Sequence, residues 1–165
     1  MAIIVEDGSQ VANANGYVSL IEIRAFALER GISLSAIDSI VEVFSFKATD
    51  FFETYSNRFK GSKVSGTQAL QFPRENFSLD GFAFSSDEVP SLVRKCICQL
   101  VIELHNGIDI APTTDGKFLI REKIDVIENE WQPGSSSGQP NLTLFEAFIA
   151  PLLQTSTGGV TVKRA

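Results

Sequence analysis

The sequence predicts a mainly α-helical fold: a small bundle of about four helices with a projecting two-stranded β-ribbon, a long ordered loop and an extended C-terminal arm. Three observations predict this class. Apolar residues recur at three- and four-residue steps in several segments, which is the period of an amphipathic helix. Residues 117–131 roughly alternate polar with apolar side chains, as strands do. Gly- and Ser-rich stretches at 133–140 and 155–159 separate the last elements.

The composition is that of one globular domain. The chain has 165 residues, of which 44% are hydrophobic and 21% charged. We expect this domain to cover residues 1–154 and the arm to cover residues 155–165. The opening MAIIVEDGSQ reaches acidic residues too early for a signal peptide, and no run approaches the roughly 18 apolar residues of a membrane span. We therefore expect a protein made in the cytoplasm, with no membrane partner.

The first two helices are predicted from caps and from apolar spacing. Ser19 and Glu22 have the S-x-x-E spacing of a capping box, and Gly31 follows as a C-terminal stop. A second helix is predicted from about Ser35 to about Ser56. Its apolar stripe consists of Ile37, Val41, Phe44, Ala48, Phe51 and Tyr55, widened by Ile40 and Phe52.

The third helix carries the predicted core. Residues 85–88 (SSDE) offer caps and acidic first-turn residues, and Pro90 is compatible with a position near the helix start. Asn106 and Gly107 end the helix. One face is filled by Leu92, Val93, Cys96, Ile97, Leu100, Val101 and Leu104.

The remaining elements are shorter. Asp80-Gly81 predicts a tight turn. Residues 117–124 and 126–131 are predicted to pair as the antiparallel ribbon. The last helix is predicted over residues 142–154, with Pro151 weakening its final turn.

The stretch FKGSKVSGTQALQFPR, residues 59–74, opens a long loop region that extends to residue 90. Its glycines and proline exclude a regular helix, yet it contains Phe59, Leu70 and Phe72. Because an exposed apolar patch is unusual on a monomer, we expect this loop to contact other chains or to lie beside a channel. The alternative is that the loop folds back onto its own core.

Arrangements of residues that support catalysis or metal binding are mostly absent from the sequence. Cys96 and Cys98 lie two apart on a predicted helix, so they point to opposite sides and can neither bridge each other nor share a zinc ion. We expect both to be buried. Gly61 and Gly66 have phosphate-loop spacing, but the required Lys-Ser/Thr pair does not follow. We therefore predict no enzyme activity, no catalytic residues, no cofactor and no metal.

The charge balance argues against tight nucleic-acid binding. Twenty acidic residues oppose fourteen basic ones, which gives a net charge of −6 and a pI near 4.8. Proteins that grip phosphates need a basic surface, usually with a domain pI above about 9.

Several segments together resemble a known family. They are AIIVEDGSQVANANGYVSL, KATDFFETYSNRFKGSKVSGTQALQFPR, SSDEVPSLVRKCICQL, IREKIDVIENEW and the close APLL…GGVTVKRA. The chain resembles small tailed-phage proteins labelled DnaT-like ssDNA-binding, which are similar to head–tail connector (adaptor) proteins. The resemblance implies a structural virion protein of the phage neck. Its copies would form a ring, commonly a dodecamer, below the portal protein, pass the double-stranded genome without specific binding, and join a downstream tail protein.

Two segments are candidate subunit or portal contacts. In the loop the candidates are Phe59, Lys60, Gln68, Leu70, Phe72, Pro73 and Arg74. In the arm the alternating sequence VTVKRA could add as a strand to an exposed sheet edge through Val160, Val162, Lys163 and Arg164, and the alternative is a frayed terminus.

The alternative function is single-stranded nucleic-acid binding. That function needs aromatic side chains for base stacking next to basic residues. Phe59-Lys60 and Phe72-Pro73-Arg74 are the only local candidates for such a platform.

Overall fold

The computed structural model describes residues 2–111, 121–124, 127–130 and 140–154. Over these residues the fold is mainly helical, as predicted. The α-helices are α1 (Leu20–Leu28), α2 (Asp38–Glu53), α3 (Ser91–His105) and α4 (Thr143–Ile149). Small antiparallel sheets are formed by the pairs β1–β2 (Ser62–Lys63, Arg74–Glu75), β3–β4 (Ser78–Leu79, Phe82–Ala83) and β5–β6 (Arg121–Ile124, Ile127–Glu130).

Helix α3 is the centre of the fold and packs against α1, α2 and α4. The predicted core face is confirmed, because five of its members are buried and Leu92 and Leu104 pack against the core. Cys98, Gln99 and Ile102 are buried as well, so neighbours cover more than one side of the helix. The helix ends at Asn106 and Gly107 as expected, with Gly107 in the left-handed conformation at φ +85°.

The predicted start of α3 is wrong. The helix begins at Ser91 with Pro90 as its N-cap, and no side chain caps its first turn. The run at 85–88 forms a turn instead, in which Glu88 N donates to Ser85 O. The N-terminal segment packs closely here, since a Cβ added at Gly8 would lie 2.0 Å from the carbonyl oxygen of Asp87.

Helix α1 begins with the predicted capping box. The Ser19 backbone N–H donates to a Glu22 carboxylate oxygen at 2.9 Å, and the Ser19 hydroxyl accepts from Glu22 N at 3.3 Å. Beyond the helix end, Gly31 lies in the left-handed region at φ +71°. Both ends of α1 are therefore fixed by the signals read from the sequence.

Replacing Ser19 with alanine should lower the free energy of unfolding by about 1 kcal/mol, because the cap hydrogen bonds to the first turn are lost. Urea denaturation followed by circular dichroism measures this change. Ser86, exposed in the loop before α3, provides the control, and Ser86→Ala should be nearly neutral. Equal effects of the two substitutions would contradict a stabilising role for the capping box.

Helix α2 is shorter than predicted and its buried stripe is rotated. It covers Asp38–Glu53 rather than residues 35–56, because Ser35 Oγ accepts from Ile37 N in a turn before it and a 3-10 turn, Ser56–Arg58, follows it. The side chains buried along the helix are Val41, Ser45, Ala48, Thr49 and Phe52. Ile37 and Ile40, which we expected on the buried stripe, are exposed.

The hairpin β3–β4 confirms the turn expected at Asp80-Gly81. Both residues have positive φ, 52° and 84°, as the two-residue loop of a tight hairpin requires. Phe77 at the base of the hairpin is buried and packs on Phe84, so the hairpin is anchored to the core.

The last elements are close to the prediction where they are described. Strands β5 and β6 pair within the predicted ribbon, while residues 112–120, 125–126 and 131–139 lie outside the described residues. Helix α4 ends in a 3-10 turn, Ala150–Leu152, which contains Pro151. In the described part of the chain, no helix is long and apolar enough to cross a membrane.

Candidate assembly surface and binding cleft

The apolar side chains of loop 59–74 are part of the protein's own core. Phe59 is 1% exposed, Leu70 7% and Phe72 0%. The Phe72 ring contacts those of Tyr17, Phe52, Phe59 and Phe77 with centroids 5.2–6.5 Å apart. Our expectation that these side chains face other chains is therefore corrected, because the loop folds back onto the domain.

The polar members of the predicted loop site also bond inward. Gln68 is buried; its carbonyl oxygen accepts from Val64 N and Ser65 N, and its amide donates to Leu70 O and Pro73 O. These bonds satisfy the loop's backbone without a regular element. Gln68 and Pro73, both buried, are therefore not available as contact residues in this conformation.

Arg74 closes the loop from its other end. Its guanidinium donates to Lys60 O and to Gly61 O, both at 2.8 Å. Lys60 itself is half-buried, and its ammonium donates to Pro151 O at 2.8 Å. The two basic residues that could have flanked a nucleic-acid platform are thus bonded to the protein's own carbonyl groups, while the rings of Phe59 and Phe72 are covered.

Tyr17 and Glu53 hold the loop against α2, and sequence reasoning missed both residues. The Tyr17 hydroxyl donates to a Glu53 carboxylate oxygen at 2.6 Å and accepts from Phe72 N at 3.1 Å. Both Glu53 oxygens accept from Gln71 N. Burial raises the pKa of Tyr17 well above its usual value, and the Glu53 carboxylate raises that pKa further. Burial also raises the pKa of Glu53.

The raised pKa of Tyr17 predicts a loss of stability in alkali. The unfolded chain releases the Tyr17 proton near pH 10 and the folded chain does not, so the free energy of unfolding should fall as pH rises above 10. The slope contributed by one such group is at most about 1.4 kcal/mol per pH unit. Urea denaturation between pH 9 and about pH 11 measures it. Tyr17→Phe should remove the share of the slope that Tyr17 contributes, whereas Tyr55→Phe, at a less buried position, should change the slope less. The buried thiols of Cys96 and Cys98 add to the slope equally in both variants.

An apolar surface lies on the first two helices. On α1, Ile21 is 81% and Leu28 72% exposed, and their seven-residue spacing places them on one side. At the start of α2, Ile37, Ile40 and Val43 follow at three-residue steps and are 39–59% exposed. The Arg24–Asp38 ion pair, 2.7 Å long, joins the two helices. We name these five apolar residues the α1–α2 face.

The other large exposed apolar side chains, Ile4, Phe82 and Leu144, lie on three separate segments of the chain. Phe82, 75% exposed, stands on the β3–β4 hairpin, and Leu144, 54% exposed, stands on α4. Single exposed apolar residues are ordinary on protein surfaces, whereas Ile21 and Leu28, two strongly exposed apolar residues on one side of the same helix, mark a candidate interaction site.

A cleft of about 360 Å³ opens between the second half of α2 and the end of α3. Its apolar lining comes from Phe51, Leu104, Ile110 and Ala111. The polar residues around it are Lys47, Asp50, Thr54 and Asp109. The cleft is therefore bordered by two acidic residues and one basic residue.

The cysteines are buried and unpaired, as predicted. Burial raises the pKa of Cys96 far above its usual range and that of Cys98 to about 12, so both remain uncharged thiols at neutral pH. Over the described residues no group of three or more His, Cys, Asp or Glu side chains is placed to hold a metal ion. The arm residues Val160, Val162, Lys163 and Arg164 lie outside the described residues.

The described residues define a small, mainly helical protein with an internally packed loop and an apolar surface on its first two helices. Comparison with known families matches residues 1–165 to the family described as "Putative DnaT-like ssDNA binding protein", and the chain belongs to this family. No curated protein and no solved structure matches the chain. The family description names single-stranded DNA binding and does not mention a phage neck.

Proposed function

We propose that this protein is a structural virion protein, an adaptor subunit that forms a ring between the portal and the tail of a phage. The observation that carries the proposal is the α1–α2 face, on which Ile21 and Leu28 are 81% and 72% exposed. A subunit that uses this face against a different surface of its neighbour makes a heterologous contact, and such contacts close into rings when the rotation fits. The biological setting is taken from the resemblance to head–tail connectors described in the sequence analysis, whereas the family description names single-stranded DNA binding.

The net charge is compatible with a conduit for DNA. At −6, the chain provides no overall attraction for phosphates, and a channel wall that does not bind the genome lets it slide. In this proposal the partners are sister copies, the portal protein and a downstream tail protein. The arm residues Val160, Val162, Lys163 and Arg164 remain predicted portal contacts.

Co-sedimentation with the portal ring encoded by the same genome tests the proposal. We expect the chain to sediment with the portal ring at a fixed stoichiometry. A chain that stays in the supernatant at every salt concentration would reject the adaptor assignment.

The second candidate function is single-stranded DNA binding, and the family description favours it. Two half-buried aromatic rings could serve it, since Arg30 lies 3.3 Å from the ring centroid of Phe26 and Arg58 lies 5.3 Å from that of Tyr55. A stacking site requires exposed rings beside cations that remain available for phosphates. One pair lies at the end of α1 and the other in the 3-10 turn after α2. They are therefore two separate ring–cation pairs that belong to different elements, and they do not form one continuous groove for a DNA strand.

A mobility shift with a labelled oligothymidine tests this second function. Single-strand binding should weaken steeply as salt rises, because binding releases counterions from the strand. Arg30→Ala and Arg58→Ala should each reduce the salt dependence if these pairs bind DNA, and Lys95→Ala, an exposed residue on α3, is the control. No shift at low salt would exclude the function for the isolated chain.

A further inference from the structure

We infer that the cleft between α2 and α3 is the docking site of the protein's own C-terminal segment, with Val160 and Val162 against its apolar lining and Lys163 and Arg164 near its acidic residues. This contact lies within one chain and does not depend on the proposed ring, and it is an alternative to the portal contact predicted for the same four arm residues. Three observations carry it: the direction of the chain at Gln154, its distance from the cleft, and the matching chemistry.

The chain leaves the described domain in the direction of the cleft. Leu153 forms an antiparallel bridge with Phe59, Lys60 N donates to Leu152 O at 3.0 Å, and Gln154 N donates to Arg58 O at 2.7 Å. Because the two segments run in opposite directions, the chain at Gln154 points back toward the end of α2. Thr54, which follows α2, lines the cleft.

The distance is short for the available chain. Thr54 and Arg58 are four positions apart along a helical or 3-10 turn, and each position rises about 1.5–2 Å. The six residues from Thr155 to Val160 span up to about 20 Å when extended. A short tether of this kind holds the segment at an effective concentration on the millimolar scale, so a weak contact suffices for docking.

The chemistry of the segment matches that of the cleft. In an extended chain Val160 and Val162 project to the same side, where the lining of Phe51, Leu104 and Ile110 can cover them. The basic residues Lys163 and Arg164 follow directly. The cleft has Asp50 and Asp109 against a single Lys47, so it favours a positively charged segment.

Methyl NMR of the full-length chain tests the inference. The methyl resonances of Leu104 and Ile110 report on the cleft, because both side chains line it. Val160→Asp combined with Val162→Asp should displace the segment and shift these resonances. Thr155→Asp combined with Thr157→Asp adds the same charge in the linker and should leave them unchanged.

Each outcome decides for or against the inference. Shifts in the valine variant alone, identical at all protein concentrations, support docking within one chain. Unchanged resonances would show that solvent or another segment occupies the cleft, and would overturn the inference. Wild-type resonances that move toward those of the valine variant on dilution would assign the contact to a second copy and would also overturn it.

Discussion

Replacing Phe72 with alanine is expected to lower the free energy of unfolding by about 3–5 kcal/mol, which is among the largest effects of a single substitution. The side chain is fully buried, and its ring contacts four other aromatic rings that cannot collapse completely into the space it leaves. Urea denaturation of the isolated chain, followed by circular dichroism, measures the loss.

Phe82→Ala is the matched control for this experiment. It removes the same ring from a position that is 75% exposed, so the free energy of unfolding should change by no more than about 0.5 kcal/mol. If Phe72→Ala left the stability of the isolated chain unchanged while reducing its assembly, the loop would be an intermolecular surface after all. That result would contradict the buried position of the loop.

The second large effect is expected on assembly rather than on folding. Ile21→Asp combined with Leu28→Asp should weaken the contact between copies by about 100-fold or more, because each buried apolar side chain contributes about 1.5–3 kcal/mol. The added carboxylates would also lose water at the contact. Sedimentation velocity over a range of protein concentrations, with the portal ring present, measures the change.

A third aspartate variant serves as the control for the face. Leu144 is 54% exposed on α4, outside the α1–α2 face, and Leu144→Asp should leave assembly unchanged. All variants should unfold at nearly the wild-type urea concentration, since the substituted residues are exposed. Equal losses of assembly for the α1 and α4 variants would show that the α1–α2 face has no special role.

Local signals in the sequence predict much of this fold. The capping box of Ser19 and Glu22, the apolar spacing of α3 and the Asp80-Gly81 turn each depend on residues close together in the chain. The structure that forms at each of these three places therefore depends little on the rest of the fold. The start of α3 was misplaced because the SSDE run has the composition of a cap without bonding to the helix.

The role of the loop could not be predicted from local signals. An apolar loop can have the same sequence pattern whether it packs inside its own domain or against a neighbouring chain. The bond between Tyr17 and Glu53 joins residues 36 positions apart, and it is one of the contacts that fix the loop inward. No spacing rule connects such residues, so the distinction required the tertiary structure.

The α1–α2 face was missed for a related reason. Ile37 and Ile40 match the helical period of α2, which predicted that they belong to its buried stripe. The buried side of α2 is instead centred on Val41, Ala48 and Phe52, because α3 packs there. Periodicity identifies an apolar helix, but it does not tell which apolar residues the domain leaves uncovered.

Electron cryomicroscopy of the chain bound to its portal ring tests the central claim most directly. The account predicts a ring of copies in which Ile21 and Leu28 of each copy are covered by its neighbour, while residues 59–74 stay inside each domain. A ring in which the α1–α2 face is open to solvent would contradict the account, and so would a portal ring that carries no bound chain.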